Sequence, residues 1–572
     1  MSKRQNEKKS IRLIPGLIII ILQWLAMYAT PYIFPDYAPI GFLGGVIGGG
    51  LAILIWWAFF SRVPPLERWS ALGLIAFAML LTPFLLHKSI TLGAMGYMFY
   101  FFVVPGLSLA LVVWAALSPK LSISAGRGVL AAFILLACGG WALVKTGGFT
   151  GDMDNDFSWR WSVTPEEKLL ALSEDEKMAG IAADSTLELA AEWPGFLGPN
   201  GNGTIHGLQI ETNWSDSPPV EQWRRPIGPG WSSFAISGDH LYTQEQRGDD
   251  EVVACYKVST GEPVWRHSDP ARFWESNGGA GPRGTPTLHK GLVYTFGGTG
   301  LLNVLDAQDG KLIWSRNAAE DTDAETPVWG FSSSPLVLED LVVVAVSGAL
   351  AAYDIETGES RWAMPFVGES YCSPRLFTID SVDQILSING DGLISVTPED
   401  GKLLWEIEWP GFPIVQPILL DDGDLLFSTS SDNGIRRVGI MQSPDGWQVT
   451  ERWASNRLKP FYSDIVIHNG HAFGFDGSIL ACIDIQNGKR KWKGGRYGAG
   501  QLFLLADQGL LVVLGEKGDL ALVEASSDKF KELARFPALE GKTWNHPAVV
   551  RDILLVRNAH EMAAYRLKLS AN

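Results

Sequence analysis

The sequence predicts a multi-pass α-helical membrane domain followed by an all-β eight-bladed propeller. The first 150 or so residues hold five apolar stretches with only short polar breaks between them. The rest of the chain repeats a pattern of two strands and a tight turn that ends in Trp, together with a second, small-residue motif. We therefore expect a five-helix anchor over residues 1–149, an acidic connector over 150–192 and the propeller over 193–572.

Each apolar stretch is long enough to cross a bilayer, which needs about 20 residues. Buried helices of a soluble core explain them poorly, because five follow one another directly. The glycine run Gly45–Gly50 falls inside one stretch, so we expect it to pack helices and not to bind phosphate. The predicted spans are Leu13–Tyr32, Ile40–Phe60, Trp69–Leu86, Met95–Leu117 and Val129–Val144.

Basic residues predict the orientation, because Lys and Arg accumulate on the cytoplasmic side. The amino terminus is rich in Lys and Arg, and the second and fourth loops carry Arg62, Arg68, Lys120 and Arg127. The loop Pro35–Pro39 has an acid and no base. The amino terminus is therefore expected in the cytoplasm, and five crossings place the propeller outside. The first apolar stretch lacks a small-residue cleavage site, so it is expected to remain as an uncleaved export signal.

The connector begins with acidic residues and contains a helix start. Thr164-Pro-Glu-Glu167 combines an N-cap residue, a proline in the first turn and acids near the positive end of the helix dipole. A short amphipathic spacer helix should follow through Leu172, and Asp184–Ala191 is expected to form a second one.

Charge and cysteine content exclude two classes of protein. The formal net charge of −16 argues against a nucleic-acid partner, which needs a basic surface. The four cysteines are too few for a disulfide scaffold, and we expect those of the propeller to be small buried apolar residues. His468 and His471 lack Cys or acidic partners nearby in the sequence, so a metal site there is not expected.

The repeat that predicts the propeller aligns five times without gaps. Each copy is a strand, a tight turn with Gly, and a second strand that ends in Trp; the glycine supplies the positive φ of the hairpin. Degenerate copies run through Asp445-Gly446 to Trp453 and from Val523 to Phe536. The spacing of the Trp residues, 39 to 49 positions, is that of one four-stranded blade. The regular copies are Cys255–Trp265, Val304–Trp314, Ala352–Trp362, Ser395–Trp405 and Cys482–Trp492.

A second motif predicts the innermost strand of each blade, where crowding around the channel favours small side chains. The last blade runs out of chain, and Val220–Pro226 can supply its outer strand, which closes the ring and removes two open sheet edges. The eight motifs are Ser232–Phe234, Gly284–Pro286, Ser333–Pro335, Cys372–Pro374, Val415–Pro417, Tyr462–Asp464, Gly500–Leu502 and Asn545–Pro547.

The turn pattern of Ala352–Trp362 resembles the tryptophan-docking repeat of quinoproteins that use pyrroloquinoline quinone (PQQ). The opening Trp193–Gly203 resembles that of bacterial PQQ-like propeller proteins. The resemblance covers roughly residues 158–570 and implies a bacterial inner-membrane protein with a periplasmic propeller. It implies fold more strongly than activity, because one fold serves many functions.

Proteins with this repeat fall into two classes. Quinoprotein dehydrogenases hold PQQ and Ca²⁺ in the funnel, and membrane-bound glucose dehydrogenases also have five amino-terminal helices. The other class binds proteins, like the propeller lipoprotein of the outer-membrane assembly machine. Three observations favour the second class: the propeller of about 380 residues leaves little room for insertions, it has no adjacent Cys pair, and no Trp-Asp catalytic motif aligns.

Polar residues in the loops before the innermost strands nevertheless could form a cofactor site. Carboxylate and amide oxygens suit Ca²⁺, cationic side chains could pair with the PQQ carboxylates, and an Asp or His could take a proton from an alcohol. The candidate calcium ligands are Glu275, Asn277 and Asp464, and the catalytic candidates are Asp464 and His546. The cofactor candidates are Gln246, Arg247, Arg283, Arg496, Lys542, Trp544 and Asn558.

The sequence thus favours a membrane-anchored extracytoplasmic propeller that binds a small-molecule ligand or an envelope protein. A PQQ- and Ca²⁺-dependent dehydrogenase that oxidises an alcohol or sugar and reduces membrane quinone is the alternative. A sensor or transporter subunit is the third possibility, although the apolar stretches carry few charges of the kind ion transport requires.

Overall fold

The computed structural model describes residues 11–34, 37–150, 155–173, 178, 191–429 and 433–570. The chain folds as two compact units, one dominated by the apolar helices up to Phe149 and one by the strand-rich part from Val163 onwards. The predicted fold class, apolar helices followed by an eight-bladed propeller, is confirmed. The predicted helix Asp184–Ala191 lies, except for its last residue, outside the described residues.

Within the described residues, four helices are long and apolar enough to cross a membrane: Ile40–Phe60, Pro65–Leu85, Met98–Lys120 and Ile123–Leu143. They match four of the five predicted spans, with the last beginning six residues earlier than predicted. The first predicted span is shorter than expected, because its helix Leu13–Tyr28 has 16 residues. A separate helix, Thr30–Ile33, follows with a proline in its first turn, and proline has no backbone N–H with which to continue the preceding helix.

Glycines bring the first two apolar helices together, as the sequence predicted. A Cβ added at Gly45 would lie 2.5 Å from Met27, and one added at Gly49 would lie 2.6 Å from Gln23. The absence of these side chains allows close backbone approach, which is how small residues stabilise helix pairs in a bilayer. Part of this region, Gly44–Gly49, is wound as a π-helix.

A strand pair that the sequence did not predict lies across the predicted boundary between anchor and connector. Val144–Phe149 pairs with Asn155–Trp159 in antiparallel register, which explains why the last apolar helix stops at Leu143. The predicted helix after Thr164 is confirmed as Pro165–Ser173. Its capping box is complete: the Glu167 N–H donates to the Thr164 hydroxyl at 3.1 Å, and the Thr164 N–H donates to the Glu167 carboxylate at 2.6 Å.

Among the described residues, eight sheets form the blades, each antiparallel and ordered from the innermost strand outwards. Blade 7 also has a fifth strand, Thr204–Ile205, which pairs in parallel with Gln501–Leu505. The strands of blades 1 to 4 follow in chain order. Blade 1 contains Ala235–Ser237, His240–Arg247, Asp250–Lys257 and Pro263–Asp269; blade 2 contains Thr287–His289, Leu292–Phe296, Leu301–Asp306 and Leu312–Asn317; blade 3 contains Leu336–Val337, Leu341–Val346, Ala349–Asp354 and Ser360–Pro365; blade 4 contains Arg375–Ile379, Val382–Asn389, Gly392–Val396 and Leu403–Glu408.

Blades 5 to 8 continue the order, and the outer hairpin of blade 5 is the longest. Blade 5 contains Ile418–Leu419, Asp424–Phe427, Ile435–Ser443 and Gly446–Ser455; blade 6 contains Val466–His468, His471–Asp476, Ile479–Asp484 and Arg490–Arg496; blade 7 contains Gln501–Leu505, Leu510–Leu514, Asp519–Glu524 and Glu532–Pro537; blade 8 contains Ala548–Val550, Ile553–Arg557, Glu561–Arg566 and, from before blade 1, Val220–Pro226.

The predicted ring closure is confirmed by the pairing of Val220–Pro226 with Glu561–Arg566, in which Trp223 lies opposite Ala564. The early strand therefore ties the two ends of the propeller together. The four cysteines are free and buried, so the closure depends on strand pairing and packing. This agrees with their predicted role as small apolar residues.

Outer-strand Trp residues dock on the turn of the next blade in most of the propeller. In six of the eight junctions the indole N–H donates to a backbone carbonyl there, at 2.7 to 3.1 Å. Blade 4 departs from this pattern, because its Trp405 donates to Gln384 within the same blade. The neighbouring blade 5 has a long outer hairpin in place of the short turn on which the other Trp residues dock. Blade 7 has Phe536, which has no N–H to donate. The docking donors are Trp223, Trp265, Trp314, Trp362, Trp453 and Trp492.

The turn glycine of the repeat has a second role, because the Trp of the preceding blade lies against it. A Cβ on Gly358 would lie 2.7 Å from the ring of Trp314, and one on Gly401 would lie 2.5 Å from Trp362. Both glycines have positive φ, +70° and +66°. The glycine thus permits the turn and also leaves room for the neighbouring indole.

The small-residue motifs predicted as innermost strands lie just before those strands, except that Gln501 and Leu502 fall within one. A polar ring, which we call the inner girdle, joins these motifs around all eight blades. The middle residue of each predicted motif is polar, and at every junction a side chain bonds to the neighbouring blade. The bonds are Ser233 N–H to Thr285, Thr285 N–H to Ser334, Ser334 N–H to Ser373, Ser373 N–H to Gln416, Gln416 N–H to Asp464, Ser463 hydroxyl to Gly500 O, Gln501 amide to Trp544 O and Ser233 hydroxyl to His546 O.

The segment Trp193–Gly203, here called the floor segment, closes one end of the channel. Trp193 exchanges two backbone hydrogen bonds with Ile236 of blade 1, and the Gly203 carbonyl accepts the Leu504 N–H of blade 7. Between these points, Asn200 O accepts a bond from Arg375 of blade 4. Contacts with blades on opposite sides of the ring require the segment to cross the channel axis. The opposite end, where loops lead into the innermost strands, is the mouth.

The docking geometry predicts that Gly358→Ala destabilises the propeller more than Gly470→Ala. Gly470 has nearly the same φ, +74°, but an added Cβ there meets nothing within 4 Å, so backbone strain is matched. The clash with Trp314 should add about 1–3 kcal/mol to the loss of unfolding free energy. Denaturant unfolding of the purified protein, followed by Trp fluorescence, measures the difference. Equal losses in the two variants would contradict the docking role.

A buried carboxyl group links blades 1 and 2 near the mouth. Glu251 accepts the Gly298 N–H at 3.0 Å and the Thr299 hydroxyl at 3.3 Å. Burial raises the pKa of Glu251 to about 7, because its effect exceeds that of these two hydrogen bonds, which lower the pKa. Because the folded-state pKa lies above the unfolded value, the protonated group stabilises the fold at low pH, and this contribution is lost as the pH rises through about 7.

We therefore expect Glu251→Gln to match the wild-type protein in thermal stability at about pH 5 and to exceed it at about pH 8.5. The gain should approach roughly 1–3 kcal/mol, since each pKa unit corresponds to about 1.4 kcal/mol. Unfolding curves of both proteins across this range provide the measurement. A stability difference that does not change with pH would refute the prediction.

Candidate functional site at the mouth of the channel

Aromatic side chains from six blades meet at the mouth. Trp329, from the loop before blade 3, contacts Tyr371 at 5.0 Å between ring centroids and reaches Phe461 at 6.2 Å. Phe461 belongs to the loop before blade 6, so this contact spans the mouth. The rings form one connected set, the aromatic cluster: Trp231, Trp329, Tyr371, Phe412, Phe461, Tyr462 and Trp544.

Part of the aromatic cluster faces outwards. Phe412 is 56% exposed and Phe461 is 38% exposed, while Val328 and Val367 beside them are 68% and 64% exposed. Together with half-buried Trp329 they form an apolar surface, which we call the mouth surface. Contiguous exposed apolar side chains of this kind mark interaction sites more often than isolated ones do.

The predicted calcium ligand Glu275 and the predicted cofactor residue Arg283 contact each other. The Arg283 guanidinium lies 3.4 Å from the Glu275 carboxylate and donates to the carbonyls of Gly279, Gly281 and Trp329. Burial lowers the pKa of Arg283 to about 10, so it stays charged at neutral pH. This arginine fixes the loop beside the aromatic cluster.

Gln246 and Arg247 were expected in a loop, but they end the second strand of blade 1, His240–Arg247, and bond within the fold. The Gln246 amide donates to the carbonyls of Gly248 and Ala271. Arg247 pairs at 3.0 Å with Glu245, which is fully buried. Burial alone would raise the pKa of Glu245, but the Arg247 charge and hydrogen bonds from Tyr256 and Gly228 lower it below its usual value.

Lys542 and Trp544 lie at the edge of the aromatic cluster. The Lys542 ammonium sits 4.5 Å from the Trp544 ring and 5.4 Å from the Trp231 ring, which is cation–π geometry. The Trp544 indole donates to Glu516 at 2.7 Å. Asn558 instead shapes a turn, since its side-chain oxygen accepts hydrogen bonds from the N–H groups of His560 and Glu561. Arg496 is exposed at the end of the blade 6 outer strand.

The two catalytic candidates are buried inside the ring. Asp464 is part of the inner girdle, where it accepts the Gln416 N–H at 2.6 Å. Burial raises its pKa to about 6, and the Arg375 charge opposes that shift. His546 lies next to the floor segment, with Phe196 at 5.9 Å between ring centroids. Both of its nitrogens lie within 3.0 Å of backbone carbonyls, and burial lowers its pKa to about 4.

These positions bear on whether the site could hold PQQ and Ca²⁺. Asn277 lies in the turn between Trp274–Glu275 and Gly279–Ala280, while Asp464 lies in the inner girdle. Within the described parts of the chain, no three His, Cys, Asp or Glu side chains come together as a metal site. The predicted calcium and cofactor residues therefore remain predictions, and most of their polar atoms already have partners in the fold.

Sequence reasoning missed most of the aromatic cluster, although a signal was present. Aromatic residues recur shortly before the small-residue motifs, as in Trp231-Ser-Ser, Tyr371-Cys-Ser-Pro and Phe461-Tyr-Ser. Read one at a time, they are ordinary loop residues. Their shared position relative to the innermost strand places them together at the mouth.

Comparison with known proteins identifies relatives of two kinds. The chain is 23% identical to the outer membrane protein assembly factor BamB of Burkholderia pseudomallei over 371 residues, 60% of this chain and 90% of that protein. It is 33% identical to the quinohemoprotein alcohol dehydrogenase of Comamonas testosteroni over 123 residues, which cover 19% of this chain and 16% of the dehydrogenase.

The crystal structure of the Comamonas testosteroni dehydrogenase is similar to this propeller, with a TM-score of 0.50 and 13% identity over 71% of this chain and 85% of that one. This similarity concerns the fold alone. A family model described as outer membrane protein assembly factor BamB matches residues 211–371 and 374–501, which together make up half of the chain. The chain therefore belongs to the BamB-like family of PQQ-repeat propellers.

Proposed function

We propose that this chain is a membrane-anchored, extracytoplasmic binding module whose mouth surface holds an apolar segment of another envelope protein. The observation that carries the proposal is the aromatic cluster, which spans the mouth and leaves Phe412 and Phe461 exposed. Aromatic side chains dominate the binding energy of protein interfaces, because they bury a large area and lose little conformational entropy.

The polar groups at the mouth support a binding role over catalysis. Arg283 and Gln246 bond to backbone carbonyls of the loops, and Trp544 bonds to Glu516. These bonds hold the loops in place around the aromatic cluster. A preformed surface of this kind binds with less loss of conformational entropy than a flexible one.

Family membership agrees with this proposal. The matching family is named for a factor in outer membrane protein assembly, and the similarity to the Burkholderia pseudomallei relative extends over 90% of that protein. A role in binding envelope proteins carries over to this chain as part of the proposal. The apolar helices would keep the propeller next to the membrane.

The dehydrogenase alternative rests on a narrower match. The similarity to the Comamonas testosteroni enzyme covers 19% of this chain, and a second match, to a lanthanide-dependent methanol dehydrogenase, covers 13%. Such short matches are compatible with shared blade repeats alone. Because Asp464 and His546 are buried and bonded, neither is disposed to take a proton from a substrate at the mouth.

Photo-crosslinking at the mouth tests the binding role. A benzoyl-phenylalanine placed at Phe412 or Phe461 should form one discrete protein adduct in cells, and one placed at Ile313 on the blade 2 outer strand should not. Val328→Asp should remove most of the adduct, since a charge at a desolvated contact costs roughly 1–3 kcal/mol. Adducts that form equally at Ile313, or that persist with Val328→Asp, would contradict the proposal.

Cysteine labelling tests the predicted orientation. The native cysteines are buried, so a single Glu339→Cys on the exposed rim of blade 3 should react cleanly with a membrane-impermeant maleimide in spheroplasts. Arg62→Cys, in a loop predicted to be cytoplasmic, should react only after the membrane is permeabilised. The reverse pattern would place the propeller in the cytoplasm and overturn the extracytoplasmic assignment.

A further inference from the structure

A groove between blades 5 and 6 has a charge opposite to that of the whole protein. It has a volume of about 640 Å³, within the range of about 300–1,000 Å³ typical of ligand pockets. None of its nine described lining residues is acidic, and three are cationic. The lining residues are Asn433, Ala454, Ser455, Asn456, Arg457, Asn487, Gly488, Lys489 and Arg490.

The sequence around the groove shares this charge. Residues 433–490, the span that holds the lining residues, contain seven Lys and Arg against five Asp and Glu, whereas the whole chain has a net charge of −16. Local clusters of one sign raise the local concentration of oppositely charged ligands and speed their association. A groove lined by cations on an acidic protein therefore favours partners that acidic parts of the surface would repel.

Hydrogen bonds fix the walls of the groove. Arg490 donates twice to the Arg457 carbonyl, at 2.9 and 2.7 Å, and bonds to Asp476 at 2.6 Å. The Ser455 hydroxyl donates to Gly488 O at 2.6 Å, which joins the end of the blade 5 outer strand to the turn of blade 6. The backbone carrying Arg457 and Lys489 is therefore held in one arrangement, with both side chains exposed.

We propose that this groove binds an extended acidic segment of a partner protein. Arg457 and Lys489 would pair with its carboxylates, and the amide side chains of Asn456 and Asn487 would bond to its backbone. The groove also lies at the end of the outermost strand of blade 5, Gly446–Ser455. Outer strands offer unpaired backbone groups to an extended chain. A concave groove with amide groups fits a peptide better than it fits a flat lipid surface.

The repeat provides a matched control for this proposal. Lys489 follows the turn glycine of blade 6, and Lys311 follows that of blade 2. The N–H of each lysine bonds to a side-chain oxygen two residues earlier, Asn487 at 3.0 Å and Asp309 at 2.9 Å. Both lysines are exposed. Charge reversal at the two positions thus changes the net charge equally, but only Lys489 lines the groove.

The test uses the full chain in a neutral detergent and a fluorescein-labelled ten-residue Glu/Ser peptide, with binding followed by fluorescence polarisation. We expect saturable binding that weakens with salt. Arg457→Glu and Lys489→Glu should each weaken it by about fivefold or more, and Lys311→Glu by less than about twofold. A matching Lys/Ser peptide should not bind.

Three outcomes would overturn the proposal. The peptide could fail to bind even at low salt, or Lys311→Glu could weaken binding as much as Lys489→Glu does. The third outcome is that the protein floats with anionic phospholipid vesicles and loses this binding in Arg457→Glu and Lys489→Glu, while the peptide does not bind. Because crosslinking at Phe412 concerns the mouth surface, these results are independent of the proposed function.

Discussion

Each blade of this propeller leaves hydrogen-bond donors that only its neighbour can satisfy. The inner girdle and the Trp docking bonds both run from one blade to the next, and a buried donor left unpaired costs about 1–3 kcal/mol. An open row of blades would leave such donors at its ends. Closure of the ring between blades 8 and 1 is therefore the constraint on which the other contacts depend.

Arg557 joins the two ends of the ring. It lies in blade 8 with no exposed surface, and its guanidinium donates to the Thr243 hydroxyl at 2.6 Å and to the Gly228 carbonyl at 3.1 Å. Burial lowers its pKa to about 10, which leaves it charged at neutral pH. The carboxylate of nearby Glu245, which also pairs with Arg247, offsets part of that charge, so the joint combines strand pairing with a buried charge cluster.

Closure also explains the character of the mouth. Arg247 and Gln246, which the sequence suggested as cofactor residues, lie next to the joint and bond within the fold. The polar groups that could have faced a ligand thus hold the loops, and the exposed surface left at the mouth is largely apolar. A surface with this composition suits protein recognition through aromatic anchors.

The sequence was sufficient for features that repeat. The turn glycines, the Trp residues and the eight small motifs each predicted one blade element, and even the closing strand Val220–Pro226 has the bounds predicted for it. Features that depend on one particular contact were not predictable in the same way. The first helix ends at Tyr28 and a strand begins at Val144. Both positions lie in apolar sequence, where hydropathy does not mark the end of a helix.

The candidate site was harder to predict because loop chemistry does not specify a partner. Arg283 carries the same charge whether it binds a carboxylate ligand or the carbonyls of Gly279 and Gly281. Its burial, which decides between the two, arises from the packing of Phe273 beneath it. Gln246 and Arg247, expected in a loop before an innermost strand, instead lie in the second strand of blade 1. The aromatic cluster became apparent only from the positions of its rings in space.

Direct titration with PQQ and Ca²⁺ tests the central claim that the mouth is a preformed protein-binding surface. The purified full-length protein in detergent would be titrated with PQQ at millimolar Ca²⁺, with cofactor absorbance and dye-linked alcohol or sugar oxidation as readouts. Our account predicts no saturable absorbance change and no oxidation. Stoichiometric PQQ binding with turnover would contradict it and establish the dehydrogenase alternative.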